Sequence, residues 1–179
     1  MSPSPGVDPA AAGDGAAGGH GADWGSRSVR ELVDYILVTH HEGERTLLAH
    51  LRSLADEAVR RGAESRPVLR KVAATLGQLS EELLSHMDRE EQVLFPLLLE
   101  REAEGRTGAP AWDRETELSR LHREHDHAGD LLQDLRILTQ DYAVPEEYLR
   151  PLCEALKHLD EDLQLHIELE NRWLFSRAG

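Results

Sequence analysis

The chain has 179 residues, 34 of them acidic and 20 basic, for a net charge of −14 at neutral pH. The length suits one domain with a sizeable core, and the charge argues against nucleic acid and an anionic membrane surface as partners. A single cysteine, Cys153, rules out an internal disulfide and a cysteine-ligated metal site, and no run approaches the 18 apolar residues of a membrane span.

Residues 1–25, MSPSPGVDPAAAGDGAAGGHGADWG, are rich in Pro, Gly and Ala with little to bury. They predict a disordered tail, with Trp24 as its docking point and His20 in solvent. The tail has no basic-then-apolar leader. With the lone cysteine this fits a cytoplasmic location. Residues 26–179 are expected to form the folded domain.

Ser28-Val-Arg-Glu31 has capping-box spacing. It opens a first helix that runs to about Arg61 and stops at Gly62. Pro67 suits the first turn of a second helix, which reaches about Glu104 and is closed by Gly105. Pro96 should kink or locally break it. Asp113 is placed to cap a third helix running to about Gln140. Pro145 and Pro151 mark the entry to a fourth, running to about Arg177. Four long helical patterns with short connections predict an all-α, up-down-up-down four-helix bundle.

The apolar stripes carry polar interruptions. The second helix presents Val72, Leu76, Leu79, Leu83, His86, Glu90, Val93 and Leu97 on one face, and the fourth presents Leu152, Leu156, Leu159, Leu163, His166, Glu170 and Trp173. The third presents Leu118, Leu121, His125, Ala128, Leu132 and Leu135. The first presents Val33, Leu37, His41, Glu44, Leu48, Leu51 and Ala55. An ionised Glu in a core costs several kcal/mol when it lacks a partner. Two such Glu residues, each four positions after a His, therefore call for a compensating cation. Residues at i and i+4 share a helix face, so each pair offers an imidazole and a carboxylate to one interior point.

The two segments are also a repeat. EELLSHMDREEQVLFP (81–96) lies over EDLQLHIELENRWLFS (161–176) at an offset of 80, matching His86 to His166, Glu90 to Glu170 and Phe95 to Phe175. Counting along the helices puts His41, His86, His125 and His166 at one height. Four imidazoles and two carboxylates suit iron, manganese or zinc better than calcium or copper(I). Two carboxylates from opposite helices can bridge two metals, leaving open positions for a small ligand such as dioxygen or nitric oxide.

Some choices stay open on this evidence. His40 continues an Ile36/Leu47 stripe and competes with His41. His122, three residues before His125, is a candidate fifth imidazole. Glu44 either supports the site or reaches solvent. His50, His127 and His158 read as surface or rim residues, and Cys153 as a small buried hydrophobe.

The segments DYILVTHHEGER, ELLSHMDREEQVLFP, LHREHDHAGDLLQDLRILTQDYAVP and DLQLHIELENRWLF resemble the hemerythrin-like family, and within it the di-iron proteins that repair iron centres. The resemblance spans about residues 28–178. It implies a hemerythrin-like bundle with two iron ions in a non-haem di-iron centre. The implied ligands are His41, rather than His40, with His86, Glu90, His125, His166 and Glu170. It further implies reaction with dioxygen, nitric oxide or peroxide, or iron supply for iron–sulfur cluster repair under stress. A non-catalytic sensor or carrier of dioxygen, nitric oxide or iron is the alternative, and no residue is assigned as a general acid or base. Two positions depart from the family pattern: no His lies between His50 and His86, and Ser176 stands where Pro often follows Leu-Phe.

Overall fold

The computed structural model describes residues 23–104 and 114–178. The segment up to residue 22, including His20, lies outside them. So do the stop expected at Gly105 and the cap expected at Asp113. Every regular element among the described residues is helical.

The first long helix comprises α1 (Val29–Ile36), a π turn (Leu37–His41) and α2 (Glu42–Gly62). The second comprises α3 (Val68–Arg89), a π turn (Glu90–Leu94) and α4 (Phe95–Glu104). The third is α5 (Arg114–Leu138). The fourth comprises α6 (Arg150–Leu169), a π turn (Glu170–Leu174) and a closing 3₁₀ turn (Phe175–Ala178). Side-chain pairs show that successive helices run antiparallel. Glu102 accepts from the Val29 N–H at 2.6 Å while Arg45 meets Asp88 at 2.8 Å. Arg89 meets Glu117 at 3.8 Å while His86 meets Glu124 at 2.9 Å. The fourth helix closes against the first, with Arg177 on the Trp24 carbonyl at one end and Tyr148 beside Gly62 at the other. The bundle is therefore up-down-up-down.

The start signals act as expected. The Ser28 hydroxyl accepts from the Glu31 N–H at 3.1 Å, and the Glu31 carboxylate accepts from the Ser28 N–H at 2.9 Å. Trp24 is buried and packs on Tyr35 with ring centroids 4.6 Å apart. Gly62 plays a different part from the one expected. It is the last residue of α2 rather than a stop beyond it. A Cβ there would collide with the Tyr148 hydroxyl and lie 2.9 Å from Leu69 Cδ1. The glycine is needed for close approach of α2, α3 and the turn that precedes α6, not for backbone freedom.

The third helix ends at Leu138, two residues short of Gln140, and the chain leaves through three left-handed residues: Gln140, Asp141 and Tyr142, with φ of 56°, 58° and 62°. Such backbone is strained for non-glycine residues. Buried Asp160 holds it in place by accepting from Tyr142 Oη at 2.8 Å and Arg136 Nε at 2.5 Å.

The core is divided. One apolar cluster, built around Leu51, Leu76, Leu79, Leu135, Leu156 and Leu159, fills the half nearest the tight turn between α2 and α3. A second, with Trp24, Leu32, Ile36, Phe95, Leu121 and Phe175, fills the other half. Between them lies a buried polar layer of His40, His41, Glu44, His86, Glu90, His125, His166 and Glu170.

Candidate metal centre

Each of the three π turns adjoins a residue of this layer. In a π turn the N–H bonds to the carbonyl five residues back, which fits one extra residue into the turn. Here Glu42 bonds to Leu37, Phe95 to Glu90 and Phe175 to Glu170. The turns thus end on His41 or begin on Glu90 and Glu170.

The extra residue also moves the buried stripe by one position. The sequence stripe placed Val93 and Leu97 inward after Glu90. The structure buries Leu94, Phe95 and Leu98 and leaves Val93 46% exposed. Leu174 and Phe175 are likewise buried in place of Trp173, and Leu32 and Ile36 join Val33 before His41 in place of Leu37. Pro96 does not break its helix. It sits two residues beyond the π turn, and α4 continues to Glu104. The same turn forms before Ser176 in the fourth helix, where there is no proline. The distortion therefore belongs to the ligand-bearing repeat rather than to Pro96.

The six residues expected from the sequence come together as two groups sharing their carboxylates. His41 and His166 form one group with Glu90 and Glu170; His86 and His125 form the other with the same two carboxylates. All are buried. Nε2 of His41 lies 3.2 Å from Nε2 of His166, and Nε2 of His125 lies 3.1 Å from Nε2 of His86. Glu90 Oε2 is 3.4 Å from the Nε2 atoms of both His41 and His86. Glu170 lies 2.9 Å from His166 and 3.2 Å from His125. Phe95 stacks on the His41 ring and its repeat mate Phe175 on the His125 ring, at 5.6 and 5.9 Å.

Hydrogen bonds on the far side of the rings fix how they face. His41 Nδ1 pairs with Glu91 at 2.8 Å, His86 Nδ1 with Glu124 at 2.9 Å and His166 Nδ1 with Glu44 at 2.9 Å. An ionised carboxylate only accepts, so these nitrogens carry the protons and the Nε2 lone pairs face inward. Two facing lone pairs at 3.2 Å repel unless a proton or a metal cation lies between them. Glu90 makes the same demand, because it is fully buried and neither of its oxygens accepts a hydrogen bond. Metal–ligand bonds of about 2.1 Å put neighbouring ligand atoms about 3.0 to 3.4 Å apart. The distances across both groups fall close to that range. On geometry, charge and donor chemistry alike, the residues fit two metal ions.

The electrostatics agree. Burial, and then the charge of Glu170, push the Glu90 carboxyl up to about 8. Burial acts on Glu170 as well, but His166 and His125 outweigh it and hold that carboxyl well below the usual range. His166 is raised well above an ordinary imidazole, since Glu170 and Glu44 overcome its burial. Without metal, Glu90 thus keeps its proton while Glu170 is ionised. Outside the layer, the hydrogen bond from His86, reinforced by Arg120 against the effect of burial, takes Glu124 down to about 2.

The open choices resolve as follows. His40 is buried beside the two groups without belonging to either, and it stacks on His166. Glu44 is fully buried and supports the site. His122 is exposed and meets only the edge of Phe175 among the rings. His50, His127 and His158 are exposed, and Cys153 is buried. Glu91 and Glu124 were not singled out from sequence. Their only signal is adjacency, one following Glu90 and the other preceding His125.

A cleft of about 450 Å³ leads to the centre between the second, third and fourth helices. Leu83, Ala128 and Leu163 line it with His86, His125 and His166, and Arg120 and Arg123 stand along its wall.

Residues 32–178 match the family model described as the hemerythrin HHE cation binding domain. Among curated proteins, the chain is 33% identical over 159 residues to the iron-sulfur cluster repair protein YtfE of Enterobacter sp. (strain 638), covering 87% of this chain and 69% of that one. It is 35% identical to the protein of the same name from Cronobacter sakazakii, covering 87% and 68%. The YtfE protein of Escherichia coli (strain SMS-3-5) gives 33% identity with coverage of 87% and 69%. No helix among the described residues is long and apolar enough to cross a membrane.

Proposed function

The chain belongs to the hemerythrin HHE cation-binding family, and on that premise we propose that it is a non-haem di-iron protein serving iron–sulfur cluster repair under oxidative or nitrosative stress. His41 and His166 would hold one iron and His86 and His125 the other, with Glu90 and Glu170 offering carboxylate oxygens to both groups. One observation carries the reading: the two four-residue groups share both carboxylates, and every imidazole in them directs its Nε2 inward.

When bound, such an iron pair supplies redox chemistry and open coordination positions for dioxygen, nitric oxide or peroxide. The protein's own part is binding, orientation and exclusion. Glu91, Glu124 and Glu44 hold three rings in one tautomer. Phe95 and Phe175 cover His41 and His125, and the apolar clusters on either side keep bulk water from the layer. The cleft admits a small ligand to the His86/His125 side. The repair role draws support from the names of the relatives, which the chain matches over most of its length.

The test is to expose the iron-loaded protein to nitric oxide and to azide. New charge-transfer absorption is expected in the wild type and absent in Glu90→Ala and Glu170→Ala. An unchanged spectrum in the wild type would sink the reading. Consumption of nitric oxide beyond one equivalent separates turnover from carriage.

A further inference from the structure

Beside the twin centre, His40, Glu44 and Asp162 bring a third set of donor atoms within 4.8 Å of one another. His40 is 2% exposed and Glu44 is fully buried. His40 Nδ1 donates to Asp162 Oδ1 at 3.1 Å, which leaves the lone pair on His40 Nε2 free to ligate. The group leaves two buried polar atoms without a hydrogen-bond partner, His40 Nε2 and Glu44 Oε2. Buried polar atoms are rarely orphaned, and each demands a partner. The other Glu44 oxygen is engaged with His166 Nδ1 at 2.9 Å. The His40 ring is held in place by stacking on His166, with centroids 5.3 Å apart and planes 11° from parallel.

We propose that His40, Glu44 and Asp162 form a third divalent-cation site at the outer edge of the twin centre, for a transition-metal dication such as Fe(II) or Mn(II). One imidazole and two carboxylates make a borderline-hard donor set that suits these ions. Asp162 has a side chain 23% exposed, so the site reaches solvent and its remaining positions are filled by water. Two carboxylates around one imidazole carry two negative charges, which a dication neutralises. The site holds its ion more weakly than the buried pair, and Glu44 ties the two, since it faces the third ion while orienting His166. This goes beyond the di-iron reading and does not depend on it, because none of the three residues is among the six ligands.

The experiment uses the full chain, loaded with iron, oxidised in air and desalted. Iron is counted, and Mn(II) is then titrated while free Mn(II) is followed by electron paramagnetic resonance. The wild type is expected to take up one Mn(II) per chain in addition to two irons. Asp162→Asn and His40→Gln should each bind that Mn(II) at least tenfold more weakly and keep both irons. Asp162 is partly exposed, so its variant tests the site even if a change at His40 impairs folding. Absence of Mn(II) uptake by the wild type, or equal uptake by Asp162→Asn, overturns the proposal. If iron fails to bind but one Mn(II) still does, and is lost in Asp162→Asn, the third site stands and the di-iron reading falls.

Discussion

Glu90 and Glu170 occupy equivalent places in the repeat, yet without metal they are held in opposite charge states. A carboxyl raised to about 8 keeps its proton at neutral pH, and a cation must displace it. Metal binding by the apoprotein should therefore release protons, and affinity should rise with pH up to about 8. The sign for stability is opposite. The folded apoprotein retains a proton that the unfolded chain gives up above the ordinary carboxylate range. The Glu90 contribution thus destabilises the apo fold progressively as pH climbs from there through about 8. Titration calorimetry in buffers of different ionisation enthalpy measures the proton release. The residues behind the rings predict unequal metal positions. Both rings of the His41/His166 pocket have a carboxylate on Nδ1, while His125 Nδ1 has no hydrogen-bond partner. The repeat mate of Glu91 is Asn171, whose Oδ1 is also unpartnered. A chelator should strip the metals in two phases, with the His86/His125 ion leaving first. Glu124→Gln should weaken that ion roughly 10- to 100-fold, the usual cost of losing such a support. The six ligands were legible because an acid inside an apolar stripe is conspicuous. Glu91 and Glu124 were not, because among 34 acidic residues an acid beside the stripe looks like ordinary surface.

At the scale of elements, the helices and their order could be read from caps, breakers and stripes, and the Ser28 box formed as its spacing implied. Periodicity failed beyond the ligands. A 3.6-residue repeat cannot register a turn that holds one more residue, so Val93 was placed inward and Phe95 was missed. Inserting one alanine after exposed Gln92 should exceed what the Glu90–Leu94 turn can absorb and rotate α4 by about 100°. Phe95 and Leu98 would then leave the second cluster. Far-ultraviolet circular dichroism is expected to stay helical while the melting temperature falls by at least several degrees; an unchanged melting temperature would show that the register set by the widened turn has no role in packing. Gly62 teaches a related lesson. A glycine near a helix end reads as a stop, but only the tertiary neighbours Tyr148 and Leu69 reveal that a methyl group will not fit. Gly62→Ala should destabilise the bundle by about 1–3 kcal/mol, the usual cost of overpacking, although alanine is the better helix former.

For the whole molecule, a layer of buried histidines and carboxylates divides the apolar interior into two clusters. Such a layer is costly without its cations, and a metal that binds only the folded form stabilises it by mass action. At free metal 100-fold above Kd, each ion adds about 2.7 kcal/mol. Removing two ions should lower the melting temperature on the order of 10 °C for a domain of this size. The central claim is that the shared carboxylates hold two irons, and metal analysis tests it most directly. Protein purified without added metal and dialysed should carry two irons per chain, coupled to each other in the Mössbauer spectrum, and Glu90→Ala and Glu170→Ala should lose them. A folded wild type with no iron, or variants that retain the full complement, would contradict it.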